Sequence, residues 1–232
     1  MGKNFKSRWY GRRNGKKLSK RHKSLIVNVL PQISLSIETL RSCNSLLELF
    51  PYCQEKIWLE IGFGAGEHIA KQASLNPNIG FIGCEPFING VANLVSLIDE
   101  KALNNILIYN DDVRPLLSFF PDRSINRIFL LFPDPWPKKK HYKRRIISND
   151  SLEQFSRVLE DLGEFRFASD HSEYAAYSAG FFSECPDFCK ISEKLFEYKN
   201  PPEDWISTRY QHKASKRGKN TIYFQFERHK RL

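Results

Sequence analysis

Apolar residues along the chain fall into short continuous runs, divided by longer stretches in which they recur at helical spacing. Ile57-Trp-Leu-Glu60-Ile61, Ile79-Gly-Phe-Ile-Gly-Cys84, Asn105-Ile-Leu-Ile-Tyr109 and Arg127-Ile-Phe-Leu-Leu-Phe132 are nearly unbroken apolar segments of strand length, the pattern of strands buried on both faces. Glu164-Phe-Arg-Phe-Ala168 and Thr221-Ile-Tyr-Phe-Gln-Phe226 alternate, as half-buried strands do. Helical spacing is found over 67–73 and 89–101, and over 148–163, where Leu152, Phe155, Val158, Leu159 and Leu162 keep the period until Gly163. Residues 24–50 also read as helical, interrupted by Pro31, and 172–181 read as a further helix. Strands alternating with helices predict an α/β fold around a largely parallel sheet.

In such sheets ligands bind beyond the carboxyl ends of the strands, so the strand tips are where chemistry is expected. The first strand carries Glu60 and runs into Gly62-Phe-Gly64-Ala-Gly66 before a helix. Glycines there let the backbone approach a nucleotide-like ligand and aim a helix N-terminus at it. The spacing departs from a dinucleotide fingerprint, because Glu67 stands where the third glycine belongs. The second strand ends at Glu85, about 20 residues past the loop, a position suited to accepting from ribose hydroxyls. The third ends at Asn110-Asp111-Asp112. Asp112 is favoured for a ligand contact because Val113 and Leu116-Leu117 follow it as a helix start would, Asp111 is the alternative, and either is equally suited to an N-cap.

The fourth tip is the most informative stretch: Phe132-Pro-Asp134-Pro-Trp136-Pro-Lys138 followed by Lys139, Lys140, His141, Tyr142, Lys143, Arg144 and Arg145. Three prolines stiffen the backbone and remove three amide donors, so Asp134 and Trp136 are held outward. Trp136 either stacks on a base or walls a pocket. The basic run beside them suits a polyanion. Strand five delivers Asp170, a second carboxylate candidate or a helix cap, and His171, which reads as a surface or capping histidine.

The formal charge of +10 is located rather than spread: residues 1–23 hold ten Lys/Arg and no acid, leaving 26 basic against 26 acidic residues in the rest. Residues 1–23 are therefore expected to be a flexible basic tail on a single domain covering 24–232, with Phe5, Trp9 and Tyr10 offering stacking faces for nucleic acid. A third basic cluster follows Thr208-Arg209-Tyr210-Gln211. The five cysteines are scattered, and Cys185 and Cys189 lack a second ligand pair, so free thiols and no metal are expected. No run reaches the roughly 18 apolar residues of a membrane span, and a cytoplasmic protein is expected.

On these residues the chain resembles the tRNA (guanine-N7-)-methyltransferases in their bacterial single-chain form, over about residues 57 to 226. The resemblance is carried by E-I-G-F-G-x-G at 60–66, Glu85, F-P-D-P-W-x-K at 132–138 with its basic continuation, S-D at 169–170 and T-R-Y-Q at 208–211. It implies a doubly wound, mostly parallel seven-stranded sheet of the Rossmann-like class I methyltransferases, and S-adenosylmethionine and tRNA as ligands. It implies cofactor contacts from Glu60, Gly62, Gly64, Glu85, Asp112 and Asp134, with Asp134 catalytic. Guanine or tRNA contacts are implied for Lys138, Asp170, Thr208, Arg209, Tyr210 and Gln211, and RNA contacts for Lys140, His141, Tyr142, Lys143, Arg144 and Arg145. No obligatory protein partner is expected, and the chain is read as a monomer or homodimer. One position departs from the family, whose motif usually has Glu where this chain has Gln211. Two rival functions remain: methylation of an exocyclic amine in RNA, since Asp134-Pro-Trp136 loosely matches that motif, and RNA binding without catalysis.

Overall fold

The computed structural model describes residues 10–52, 55–190, 201–202, 204–216 and 218–231. The region expected to be helical over 24–50 is a series of short pieces: α1 (Lys20–Asn28), α2 (Leu30–Ile33), α3 (Ile37–Ser42) and a 3₁₀ turn at Leu46–Leu49. Pro31 falls in the first turn of α2, where its missing amide costs nothing. Ser36 and Ser45 cap the N-termini of the next two pieces through their hydroxyls, while the pieces before them end at Ser34 and Cys43. Between α2 and α3, Ser34 bridges Ile108 and the Leu35 amide donates to the Ile108 carbonyl at 2.8 Å, which covers a sheet edge.

The sheet follows: β1 (Lys56–Ile61), α4 (Glu67–Leu75), β2 (Ile79–Cys84), α5 (Ile88–Lys101), β3 (Ile106–Tyr109), α6 (Val113–Leu117) and β4 (Ile125–Leu131). After a 3₁₀ segment at Lys139–Arg144 come α7 (Asn149–Val158), β5 (Leu159–Ser169), α8 (Ser172–Glu184), β6 (Phe188–Lys190), α9 (Arg209–Lys216) and β7 (Ile222–Arg228). The seven strands lie in the order β3-β2-β1-β4-β5-β7-β6. The five from β3 to β5 are mutually parallel, and β7 runs antiparallel between β5 and β6. The six strands read from the sequence are all present. The three-residue β6 is too short to leave a periodic signal.

Alternation along each central strand serves two cores. Leu59 and Ile61 of β1 join Ile128 and Leu130 of β4 and Phe165 of β5 on one face. Trp58 joins Phe129, Leu131, Phe81 and the α4 and α5 residues Ile69, Val91 and Val95 on the other. Each fully buried Leu, Ile or Phe contributes about 1.5–3 kcal/mol, which is why these runs are apolar on both faces. Glu60 follows the parity of Trp58 and so lies on the α4 side.

Two boundaries differ from expectation. The helix expected to run to Gly163 stops at Val158, and Leu159 opens β5, paired with Ile125. The cause is distant in sequence: the Arg231 guanidinium donates to the carbonyls of Ser156, Arg157 and Leu159 at 2.6–3.1 Å and so ends the helix. Leu162, the last position of the helical pattern, is half exposed with φ 65°. The boundary expected after Lys23 falls inside α1. Residues 1–9 lie outside the described residues, and residues 10–23 lie along the body. The Ile88 amide donates to the Arg13 carbonyl at 2.9 Å, and Asn89 bonds the main chain of Gly15 and Lys16 at 2.8 and 2.7 Å.

Candidate active site

The chain leaves β1 toward β2 and β3 on one side, then returns to build β4 and β5 on the other, so the carboxyl ends of β1 and β4 diverge. A cavity of about 850 Å³ opens there. Its wall includes Glu60, Gly62, Gly64, Glu85, Asp112 and Asp134, and also Thr208, Arg209, Tyr210 and Arg144. Six residues expected on a cofactor and three of the four expected in the 208–211 motif therefore meet around one space.

The glycine loop has the geometry its sequence suggests. Gly62, Gly64 and Gly66 have φ of 70°, 56° and 79°, a region where a side chain is strained. A Cβ on Gly62 or Gly64 would meet nothing within 4 Å, so the loop presents bare backbone to open space, whereas one on Gly66 would strike Leu94 at 2.6 Å. The sequence reading missed Gly90, whose added Cβ would lie 2.2 Å from the Gly64 carbonyl oxygen. This glycine on α5 lets the loop sit where it does.

The carboxylates differ in how they are held. Glu60 is 4% exposed, with Oε2 2.6 Å from Nδ1 of buried His68. Glu85 accepts from the amides of Gly64 and Phe87, each at 2.9 Å. Burial pushes its carboxyl above the usual glutamate range, and Asp134 and Glu60 push the same way, against the two amide hydrogen bonds. Asp112 caps α6 through the Arg114 amide, as one of its two expected roles allowed, and its carboxylate also takes a bidentate bond from the Arg114 guanidinium at 2.6–3.0 Å. Asp111 pairs with Arg13 at 2.7 Å. Asp134 stands on the cavity rim, open to solvent, with no ion pair or hydrogen bond among the described residues. Partial desolvation by the wall pushes its carboxyl upward. Glu85 and Asp134 are thus the two cavity carboxylates without a side-chain partner among the described residues.

The proline-bracketed tip is strained as well as stiff. Phe132 and Trp136 have φ of 53° and 42°, costing about 1–3 kcal/mol each for non-glycine residues. Arg145 holds this shape. Expected among the RNA contacts, it is instead buried, donating from Nε to the Pro135 carbonyl at 2.8 Å. Its guanidinium lies 3.6, 4.9 and 4.4 Å from the rings of Tyr142, Tyr174 and Tyr177. A phosphate cannot reach it. Arg144 lies between the rings of Tyr10 and Trp136, at 4.6 and 4.8 Å, on the cavity wall. Lys138, Lys140 and Lys143 are exposed on the outer surface, and His141 and Tyr142 are half-buried. The Tyr142 hydroxyl bonds to Glu173.

The second carboxylate candidate is engaged elsewhere: Asp170 is paired with Lys219 at 2.9 Å. His171, not Asp170, caps α8, accepting from the Tyr174 amide at 3.3 Å. Gln211 does not line the cavity. Its Oε1 accepts from Trp205 and Ser207 at 2.8 and 3.0 Å, and its Nε2 donates to the Tyr223 hydroxyl at 2.6 Å. Both ends of the amide are used, which suits Gln at a position where the family usually has Glu. Arg209 reaches back to Glu67, through its main-chain amide at 3.0 Å and through its side chain. His68 and the Tyr10–Arg144–Trp136 stack were missed; the only signal for His68 was a polar residue on the buried side of α4.

Strand order, an open glycine loop and acidic strand tips around one cavity define a Rossmann-like class I methyltransferase. A family described as "Putative methyltransferase" matches residues 54–224. The solved 16S rRNA methyltransferase KamB superposes with a TM-score of 0.57 at 14% identity, covering 81% of this chain and 94% of that one. SMU.1697c from Streptococcus mutans, solved in complex with SAH, gives 0.50 at 10% identity, covering 91% and 99%. At such identities these two share the fold. Nearer relatives are the tRNA (guanine-N(7)-)-methyltransferases of Agrobacterium fabrum, 42% identical over 95% of this chain and 94% of that protein, and of Rhizobium meliloti, 41% identical over the same shares. The chain belongs to the tRNA (guanine-N7-)-methyltransferase family.

Proposed function

We propose that this protein transfers a methyl group from S-adenosylmethionine to the N7 atom of a guanine in cytoplasmic tRNA. The observation that carries the reading is the pair Glu85 and Asp134: two carboxylates on one cavity wall, beside a bare glycine loop, neither of them ion-paired among the described residues. A ligand that is itself a cation and carries a ribose fits that donor set. Glu85 would accept from the ribose hydroxyls, Gly62 and Gly64 would let the chain approach, Asp112 would stand at the base-binding end, and the free oxygen of Glu60 would face the ammonium group. When bound, S-adenosylmethionine supplies a methyl carbon made electrophilic by its sulfonium charge.

Guanine N7 carries a lone pair and no proton, so attack on that carbon needs no general base. The protein's own contribution is positioning and electrostatics. Asp134, free of partners among the described residues, can accept from the N1–H and N2–H edge of guanine, which selects against adenine, and its charge favours the cationic 7-methylguanine product. Asp170 is the weaker candidate for that edge, being paired with Lys219. Tyr210 and Phe132, with ring centroids 5.2 Å apart at the cavity, offer faces for a base splayed from folded RNA. Exposed Lys138, Lys140 and Lys143 would hold the phosphates. We read the chain as acting without an obligatory protein partner, as a monomer or homodimer.

Incubation with methyl-labelled S-adenosylmethionine and bulk tRNA tests the reading. Label entering tRNA in proportion to enzyme and time is expected. Saturable tRNA binding without incorporation would make this an RNA-binding protein that does not catalyse.

A further inference from the structure

We infer that His68 is a positioning residue for cofactor binding: as a neutral imidazole protonated on Nδ1 it tethers one oxygen of Glu60 and leaves the other for the ligand. This rests on the reading that the cavity takes S-adenosylmethionine. His68 and Glu60 are 2% and 4% exposed, with Nδ1 and Oε2 2.6 Å apart. The imidazole is wedged edge-on against Phe129 at 4.8 Å and tilted against Trp205 at 6.0 Å, so packing fixes its plane. No hydrogen bond reaches Glu60 Oε1 among the described residues, and Glu60 forms part of the cavity wall.

The tautomer follows from the opposite side of the ring. Gln72 Oε1 accepts from Asn76 Nδ2 at 3.3 Å, and Gln72 Nε2 donates to the Asp204 carbonyl at 3.3 Å. The amide is therefore oriented with its NH₂ toward His68 Nε2, 3.5 Å away. An NH₂ group has only protons to offer, so Nε2 is bare and the proton is on Nδ1. The Glu60 carboxylate, an acceptor when ionised, demands the same. One directed chain results: Gln72 donates to the Asp204 carbonyl and to His68, and His68 donates to Glu60. Its far end is anchored, because the Asp204 carboxylate is ion-paired with Arg127 and Arg166. A buried carboxylate aimed at a ligand needs such a tether, as metal-binding side chains need their outer partners. A histidine kept only for packing would be indifferent to which nitrogen carries the proton.

Two substitutions separate these cases. The amide nitrogen of His68→Asn falls near the position of Nδ1, and that of His68→Gln near Nε2. Calorimetric titration of the whole protein with S-adenosylhomocysteine is expected to show affinity within about threefold of wild type for H68N and a loss of roughly tenfold or more for H68Q, with tRNA affinity the same in both. Equal weakening of the two variants, or none in either, overturns the role of His68. Wild-type protein that binds no S-adenosylhomocysteine sinks the cofactor reading instead. If either variant fails to fold, nitrogen-15 shifts of the wild-type imidazole without ligand decide. A protonated Nδ1 with a bare Nε2 is expected, and the other tautomer or an imidazolium overturns the inference.

Discussion

Asp134 and Arg145 lie eleven residues apart in one basic, proline-rich stretch, yet they do opposite work. Asp134 is on the rim without a partner among the described residues, so Asp134→Ala is expected to lower kcat by about 10²-fold or more while leaving tRNA affinity nearly intact; steady-state rates beside filter binding check this, and unchanged turnover removes Asp134 from the mechanism. Arg145 is buried beneath the tip with its Nε on the Pro135 carbonyl. Arg145→Ala should therefore act through the fold, destabilising by about 2–4 kcal/mol, read as a fall in the denaturant midpoint. Glu85 sets a pH limit. Its folded pKa lies above the usual glutamate value because of burial, and in the proposed function the ionised form is the one that accepts from a cationic, ribose-bearing ligand. Cofactor affinity is thus expected to fall as pH drops through that raised value, at a higher pH than an exposed glutamate would give. Stability of the free protein has the opposite sign: between the unfolded and the raised folded pKa the native state holds more protons, so protonating Glu85 stabilises it. Calorimetric affinity against pH, beside melting without ligand, separates the two. Sequence alone could single out Glu85 and Asp134, because a carboxylate directly after an apolar strand is conspicuous. It could not sort Arg144 on the cavity wall from Arg145 beneath it, since adjacent arginines look alike until the chain's path is known.

The parallel strands and the helices after β1 and β2 were legible because a strand buried on both faces has to be apolar along its length, and a helix covering it has to repeat near 3.6 residues. What stayed hidden was decided by partners far away in the chain. The end of α7 is set by Arg231, some 70 residues later, and Leu162 continues the helical pattern only by coincidence. The helix α9 carries few apolar residues, so in the sequence it shows only as a basic cluster. Gly90 has no distinguishing signal in the sequence, because its role is a close approach to the Gly64 carbonyl across the fold. Gly90→Ala places a methyl 2.2 Å from that oxygen, so backbone has to move. It is expected to weaken S-adenosylhomocysteine binding by roughly tenfold or more, about 1.4 kcal/mol, the scale of one or two displaced hydrogen bonds of about 1 kcal/mol each. Gly180→Ala, with open space at its Cβ on α8, is the matched control and should leave binding unchanged.

Across the whole molecule, acidic strand tips line the cavity while Lys138, Lys140 and Lys143 are exposed on the outer surface. The N-terminal segment joins the two: Arg13 pairs with Asp111, Tyr10 stacks on Arg144, and Tyr10, Gly11 and Arg12 line the cavity. Residues before them add Lys3, Lys6 and Arg8. Deleting residues 1–9, or Lys138→Ala, is expected to weaken tRNA binding about equally for all tRNAs. Either change should also lower the slope of log affinity against log salt by roughly 0.7–0.9 for each phosphate that is no longer neutralised, with cofactor affinity retained. A deletion that leaves the slope unchanged removes those side chains from the RNA surface. The central claim concerns one atom of one base, and the most direct test is to let the protein methylate tRNA with deuterium-labelled S-adenosylmethionine and to identify the labelled nucleoside by mass spectrometry. The account predicts 7-methylguanosine as the sole labelled product; label in N6-methyladenosine or another exocyclic-amine product would contradict it.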